Sequence, residues 1–143
     1  MENGNVINDV LVHLFNEVWQ LEKNALATGD FKDLTYNDMH IMEAVGLDGR
    51  KMSDIAAALH ITVGSLTTSM NGLVKKGYTE RERSGKDRRV VYIRLTAKGK
   101  KTYAHHAEFH RRQTEKVMKQ LASEELSILG KALQGLVEFF EQY

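Results

Sequence analysis

Apolar residues recur at intervals of three and four positions along most of the chain, which is the spacing of α-helices that bury one face. Most of the predicted helices begin or end beside a residue suited to capping, such as Ser, Thr or Gly. The predicted helices are residues 6–27, a helix that begins at Thr35, Ser53–Leu59, Thr62–Lys76, a helix from Thr96 to about Leu121, and a helix that opens at Ser123. The pattern therefore indicates a mainly α-helical protein.

A change of period interrupts this series of helices. Tyr78–Arg83 and Val90–Leu95 have the pattern of β-strands, and the polar turn between them contains Gly85. Two strands around such a turn form a β-hairpin. Together with the two short helices before it, the hairpin predicts a winged helix-turn-helix between about Lys51 and Thr96.

The Thr62–Lys76 helix has two unlike faces. We expect the apolar face to be buried, and it comprises Val63, Leu66, Met70, Leu73 and Val74. The other face carries small polar side chains and one cation: Ser65, Thr67, Thr68, Ser69, Asn71 and Lys75. The alternative is a solvated helix surface, which is usually richer in Glu, Lys and Gln. Because this helix has no acidic residue, the pattern favours DNA binding.

Small side chains suit a helix that enters the major groove, because they let it approach base edges and phosphates closely. Gly64 allows the backbone itself to come close to DNA. Thr62 is well suited to cap the helix, whose N-terminus can receive a phosphate.

The turn of the predicted hairpin is basic. It holds Lys86, Arg88 and Arg89, with Asp87 among them. Cationic side chains on an extended tip suit the minor groove, where the potential is negative. Asp87 would oppose phosphate binding unless it pairs with a neighbouring arginine and aims it. The alternative is an ordinary charged turn, but a basic tip directly after a polar helix favours DNA.

The composition narrows the class of protein. A chain of 143 residues with 42% apolar and 27% charged residues has the length and balance of one globular domain. The net charge of +1 gives no support for nucleic-acid binding, so a basic surface must come from local clustering. The absence of cysteine excludes disulfides and thiolate chemistry. We expect a cytoplasmic protein with no signal peptide and no membrane span.

No residues support catalysis, since a Ser/His/Asp arrangement, a phosphate loop and a paired-carboxylate cleft are all missing from the sequence. We therefore predict a protein that is not an enzyme and has no cofactor.

The sequence of the predicted hairpin, which would be the wing of this motif, resembles that of a known family. Asp87-Arg88-Arg89 followed by Leu95-Thr96 matches the D-x-R-x5-L-T pattern of MarR-family transcriptional regulators. The Ile55–Leu59 segment, the Thr62–Gly77 helix and Gly99 also stand where that family places them. Within the family, several segments are similar to repressors of bacterial fatty-acid synthesis: Asp38–His40, Val63–Ser69, Lys86–Val91, Phe109-His110 and Leu129–Leu133.

The family resemblance implies a homodimer on palindromic double-stranded DNA, with the Thr62–Lys76 helix in the major groove. It implies that Arg89 enters the minor groove and that Asp87 orients it. The resemblance to the fatty-acid repressors implies a co-repressor, namely long-chain acyl groups on acyl carrier protein. The family usually has a Ser/Thr cap at the position of Lys51 and an apolar residue at the position of Arg50. These two differences leave undetermined where the predicted Ser53–Leu59 helix begins.

We expect a single domain over residues 1–143. Its DNA-binding part would span 35–96, and dimerisation helices would span 1–30 and 97–143. The apolar stripes of Val6–Leu21 and Leu126–Phe140 support a dimer independently, because two such helices of one chain can cover only part of each other.

The sequence indicates less about the effector of such a regulator than about its DNA-binding part. A ligand pocket is predicted from Phe15, Trp19, Met39, His40, Met42, Tyr103 and Phe109, since methionines and aromatics repack around acyl chains; the alternative is that most of them are core. The basic stretch Lys98–Lys119 would attract an acidic carrier protein, or it is a solvated face.

His106 and His110 share a helix face and, with His40, form an alternative metal site. Cationic neighbours oppose a divalent ion, so no metal is predicted. The alternative function is accordingly a MarR-type regulator that responds to zinc or a small aromatic ligand. A further alternative is a winged domain that serves only as a protein-docking surface.

Overall fold

The structure is a computed structural model that describes residues 2–143. The helices are α1 (Glu2–Asp9), α2 (Phe15–Thr28), α3 (Tyr36–Val45), α4 (Met52–Ala58), α5 (Val63–Lys75), α6 (Ala97–Met118) and α7 (Ser123–Glu141). A π-helical turn, Val10–Leu14, lies between α1 and α2. The strands are β1 (Arg50–Lys51), β2 (Thr79–Arg83) and β3 (Val91–Leu95).

The predicted mainly α-helical fold is confirmed. The helix predicted over residues 6–27 begins earlier, at Glu2, and the π-helical turn interrupts it, while other elements shift slightly at their ends. The α4 helix begins and ends one residue before the predicted Ser53–Leu59, and α6 ends at Met118 instead of Leu121. Both predicted caps are present on α3 and α5: Asp38 N donates to Thr35 Oγ1 over 3.1 Å, and Ser65 N donates to Thr62 Oγ1 over 3.1 Å.

The sheet has three strands where the sequence predicted two. Its order is β1-β3-β2 and both pairs are antiparallel, with Arg50 opposite Ile93 and Thr79 opposite Leu95. A strand of two residues is too short to show the alternation of apolar and polar residues by which strands are predicted from sequence. The β1 strand is therefore recognised only through its pairing with β3. Arg50 also donates from Nη1 to Ala44 O over 2.8 Å, and α4 then begins after Lys51 with no side-chain cap bond.

The chain divides into two compact units, Met1–Tyr103 and Ala104–Tyr143. The first unit contains the core, whose fully buried side chains come from α3, α4, α5, β3 and the residue directly before β2: Met39, Ile41, Met42, Ile55, Leu66, Met70, Leu73, Ile93 and Tyr78. The second unit contains the later part of α6 and all of α7, and no residue of α7 is buried. No helix among the described residues is both long and apolar enough to cross a lipid bilayer.

A hydrogen-bonded junction joins the end of α5 to the start of α6. Gly77 ends α5 in the left-handed region, with φ of 82°, as its position after the helix predicted. Thr96 Oγ1 donates to Gly77 O over 2.6 Å and accepts from Gly99 N over 3.1 Å. Tyr78 is buried at the same junction, and its hydroxyl donates to Asp33 Oδ1 over 2.6 Å.

The contact between Tyr78 and Asp33 shifts the pKa of both side chains. The hydrogen bond from Tyr78 lowers the pKa of the Asp33 carboxyl, and nearby Lys98 acts in the same direction. Burial, followed by the hydrogen bond to Asp33, raises the pKa of Tyr78 well above its usual value. Lys98 also donates to Lys76 O over 3.0 Å, so the junction that holds the end of α5 carries several polar links.

Candidate DNA-binding surface

The α5 helix is held at both ends, so that its polar face is presented in one orientation. At its start, Thr62 forms the side-chain cap. Beyond its end, Lys76 Nζ lies 3.0 Å from Asp38 Oδ2, and the same carboxylate oxygen accepts from Thr35 N over 2.9 Å. Leu66, Met70 and Leu73 anchor the inner face in the core.

The polar face of α5 points largely to solvent, as predicted. The exposed members are Thr62, Gly64, Ser65, Thr67, Thr68, Asn71 and Lys75, while Ser69 is half-buried. Thr67 Oγ1 donates to Val63 O over 2.8 Å, and Thr68 Oγ1 donates to Gly64 O over 3.4 Å. These threonine hydrogens are therefore directed at the helix's own backbone.

One prediction about the apolar face is wrong. Val63 is 47% exposed, whereas Leu66 and Met70 are fully buried. The helical spacing is as expected, but the first turn of α5 extends past the core, so Val63 faces a surface groove. Periodicity reveals which residues share a face and does not reveal where the core ends.

This groove lies between α4, α5 and the wing, and its volume is about 340 Å³. Its lining combines predicted DNA-binding residues with others that the sequence did not single out: Lys51, Met52, Ser53, Val63, Thr67, Arg89, Val90 and Val91. Lys51 and Ser53 were missed because only tertiary folding brings the start of α4 beside Thr67 and Arg89.

The wing tip is exposed at all four predicted positions: Lys86, Asp87, Arg88 and Arg89. Asp87 Oδ1 accepts from Arg89 N over 2.9 Å, and Asp87 O accepts from Val90 N over 3.0 Å. Asp87 thus fixes the backbone that carries Arg89. Across residues 2–143 the expected pairing of Asp87 with an arginine is made through this main-chain N–H and not through a guanidinium.

A side-chain link connects the wing to α5. Arg81 Nη2 on β2 donates to Asn71 Oδ1 over 2.5 Å. On the same strand pair, Arg94 Nε lies 3.3 Å from Glu82 Oε2. Asn71 therefore links the polar face of α5 to the hairpin, in addition to being exposed on α5.

The residues predicted to line a ligand pocket have unlike environments. Met39 and Met42 are buried; His40, Tyr103 and Phe109 are half-buried; Phe15 and Trp19 are exposed. Phe109 belongs to the second unit and the others to the first. This lining stays a prediction.

An aromatic cluster joins α2 to α3 in the first unit. The Tyr36 ring centroid lies 4.3 Å from that of His40 and 6.0 Å from that of Trp19. Burial raises the pKa of Tyr36, and the charge of the Glu22 carboxylate adds to the increase. His40 Nδ1 lies 3.2 Å from Glu43 Oε2.

The alternative metal residues are divided between the two units. His106 Nε2 and His110 Nε2 lie 2.9 Å apart on α6 in the second unit, whereas His40 belongs to the first. The metal alternative therefore stays a prediction, with His106 and His110 as its compact part.

Ion pairs reduce the positive charge of the second unit. Glu108 accepts from Arg111 Nε over 2.7 Å and from Arg112 Nε over 2.8 Å, and Arg111 also pairs with Glu115. The hydrogen bonds from Arg111 and then Arg112 lower the pKa of Glu108 to about 2. The pKa of Arg111 is raised in turn, by Glu108 first.

A capped helix with an exposed, acid-free face, followed by a hairpin with a basic tip, defines a winged helix-turn-helix protein of the DNA-binding class. The family model described as transcriptional regulator SarA/Rot matches residues 29–106. The HTH-type transcriptional regulator BilQ of Clostridium symbiosum (strain WAL-14163) is 33% identical over 118 residues, which are 82% of this chain and 76% of BilQ.

Solved structures agree with this assignment. Streptococcus pneumoniae FabT in complex with DNA is 37% identical, with a TM-score of 0.91 over 96% of this chain and 97% of that chain. AbsC, a MarR family transcriptional regulator from Streptomyces coelicolor, shares the fold with a TM-score of 0.78 at 22% identity, over 100% of this chain and 97% of AbsC. The chain belongs to the SarA/Rot family of MarR-like winged-helix transcriptional regulators. The MarR-type resemblance is thereby confirmed, and these relatives are DNA-binding regulators and not enzymes.

Proposed function

We propose that this regulator is a homodimeric repressor of fatty-acid synthesis genes whose affinity for its operator is raised by long-chain acyl carrier protein. The observation that carries the proposal is the likeness to FabT, 37% identical over 96% of the chain. FabT belongs to the fatty-acid-synthesis repressors. The sequence resembles those repressors in the segments Asp38–His40, Val63–Ser69 and Lys86–Val91.

Residues 35–96 would form the DNA-reading part of one MarR-type domain. The α5 helix would enter the major groove, and Arg89, on a backbone fixed by Asp87, would enter the minor groove. In a dimer the two recognition helices would lie about one helical turn of DNA apart, which requires a palindromic operator with half-sites spaced by roughly 10 bp.

The dimer itself is supported by apolar side chains exposed at both ends of the chain. In the first unit these are Val6, Ile7, Val10, Val12, Leu14, Phe15 and Leu21. In the second unit they are Ile128, Leu133, Val137, Phe139 and Phe140. Exposed apolar stripes of this kind mark protein interfaces. Residues 1–30 and 97–143 would provide the dimer interface.

Acyl carrier protein, an acidic partner, would bind the basic stretch Lys98–Lys119. Since Arg111 and Arg112 are paired with Glu108, the cations that attract the partner would be Lys116 and Lys119, both exposed. Met39, Met42 and the predicted aromatic lining would accommodate the acyl chain by repacking.

The test is an anisotropy titration of a palindromic duplex from a fatty-acid synthesis promoter. We expect tighter binding when acyl carrier protein with a long acyl chain is present, and no change with the unacylated carrier. Replacing both Lys116 and Lys119 by Glu should remove the effect of the carrier and leave the affinity for DNA alone unchanged. An acylated carrier without effect would contradict the co-repressor assignment.

DNA binding is tested separately with Arg89→Ala and Thr67→Ala in the same assay. Arg89→Ala should weaken binding to the duplex about tenfold or more, since a minor-groove cation is lost, and Thr67→Ala should weaken it about fourfold, since a contact of the α5 polar face is lost. Unchanged affinity in both variants, or binding that does not depend on salt, would favour a winged domain that docks only to protein.

A second candidate is a regulator that responds to zinc or to a small aromatic ligand. The separation of 2.9 Å between His106 Nε2 and His110 Nε2 favours zinc among these, since both nitrogens can approach one ion. Zinc that changes the affinity for DNA in the wild-type protein and not in His110→Ala would support this candidate over the acyl signal.

A further inference from the structure

The outer surface of α5 is less polar than its sequence indicates. The Thr67 hydroxyl donates its only hydrogen to Val63 O over 2.8 Å. A hydroxyl has one hydrogen and two lone pairs. What Thr67 offers to a ligand is therefore its methyl group and an acceptor lone pair. Thr68 is arranged in the same way towards Gly64 O, over 3.4 Å.

Val63 adds a second source of methyl groups one turn before Thr67. Its side chain is 47% exposed, although it is apolar and lies in the first turn of the recognition helix. Val63 and Thr67 line the same groove beside the wing, where Val90 and Val91 continue the apolar surface. The recognition surface thus contains an apolar patch next to the cation Arg89.

In the major groove the thymine C5-methyl group is the apolar feature that distinguishes one base from the others. A protein can recognise the polar groups of thymine without an apolar side chain. The C5-methyl group, in contrast, is removed from water only when it packs against an apolar group, such as a methyl group of the protein. We infer that Val63 and Thr67 form a thymine-reading site, in which their methyl groups pack against the methyl of one thymine in each half-site.

This inference rests on the proposed entry of α5 into the major groove. It adds a base preference and the two residues that determine it. Ser65 has a different role, because its Oγ accepts from Thr62 Oγ1 over 3.0 Å and its own hydrogen is available to DNA. Loss of Ser65 should therefore affect all duplexes alike, which makes it a matched control.

The experiment compares thymine with uracil, which lacks only the C5-methyl group. A duplex is first selected from random-sequence DNA with the wild-type protein, and each thymine is then replaced singly by uracil. We expect one uracil position per half-site to weaken binding about fourfold, which corresponds to about 0.8 kcal/mol for one buried methyl group. If every uracil duplex binds as tightly as the parent, the inference is wrong.

Two substitutions of Thr67 separate its methyl group from its hydroxyl. Thr67→Val keeps a methyl and should keep the fourfold preference for thymine. Thr67→Ser keeps the hydroxyl and should reduce that preference towards one, as should Val63→Ala. Ser65→Ala should weaken binding to both duplexes equally. A preference that survives in both Thr67→Ser and Val63→Ala, or that is lost in Thr67→Val, would overturn the assignment.

The failure of this inference is distinguishable from failure of the proposed function. If no duplex is selected, DNA reading by α5 itself fails. If a duplex is selected but uracil is tolerated, only the thymine-reading site fails. Thermal unfolding of each variant identifies a folding defect, and the Thr67 pair decides the outcome if Val63→Ala is unstable.

Discussion

Gly99 shows how single atoms constrain the junction between the end of α5 and the start of α6. A Cβ built at this residue would overlap the carbonyl group of Tyr78 and would also press on Leu95. That carbonyl accepts from Thr96 N over 3.0 Å, so it has little freedom to move. The resemblance to the family included Gly99, and the structure supplies a steric reason for glycine there.

Gly99→Ala should lower the free energy of unfolding by about 1–3 kcal/mol, because the backbone must shift to admit the methyl group. Gly72→Ala is the matched control, since a Cβ in that part of α5 meets nothing within 4 Å. The control should raise stability by up to about 1 kcal/mol. Urea unfolding followed by circular dichroism measures both, and equal effects of the two substitutions would contradict the steric argument.

At the scale of the element, α5 depends on contacts of different range. Its N-terminal cap, Thr62, acts on a residue three positions away and was predictable from local sequence. The ion pair of Lys76 with Asp38 spans 38 positions and connects the end of α5 to the first turn of α3. The orientation of the polar face of α5, which we propose reads DNA, therefore depends on a contact that only the fold creates.

Asp38→Ala should destabilise the protein by about 1–2 kcal/mol, because it removes the capping bond to Thr35 as well as the ion pair. Lys76→Met should cost less than about 1 kcal/mol, since the lysine is partly exposed and Asp38 keeps its capping bond. Denaturant unfolding gives both values. A loss from Lys76→Met that matches or exceeds the loss from Asp38→Ala would show that the ion pair dominates.

At the scale of the whole molecule, the apolar side chains of α7 have no buried position within the chain. Phe140 is 59% exposed and Val137 is 51% exposed. Such a surface is unfavourable in water and is expected to be covered by a second copy. Dimerisation would also determine DNA affinity, because two linked recognition helices bind far more tightly than one.

Phe140→Glu should convert the dimer into monomer, since a charge cannot be buried at an apolar interface without a partner. Sedimentation equilibrium should show the lower mass, and affinity for a palindromic duplex should fall at least a hundredfold. Lys131→Glu, on the opposite face of α7 by helical spacing, introduces the same residue and should leave both measurements unchanged. An intact dimer in Phe140→Glu would place the interface elsewhere.

The sequence by itself determined the local features of this protein. The helices of 35–96, the caps at Thr35 and Thr62, and the basic wing tip depend on spacing and on bonds between near neighbours, which a linear pattern records. The exposed polar face of α5 followed for the same reason. These features were sufficient to indicate a winged helix-turn-helix and its family.

Only the tertiary structure decided which side chains share a surface. It paired β1 with β3, exposed Val63 instead of burying it, and brought Lys51 and Ser53 into the groove beside Arg89. The physical reason is that burial depends on where the core ends, and long-range pairing depends on chain closure; neither leaves a period in the sequence. Local patterns were therefore sufficient to indicate the family, while packing decided which side chains line the groove between α4, α5 and the wing.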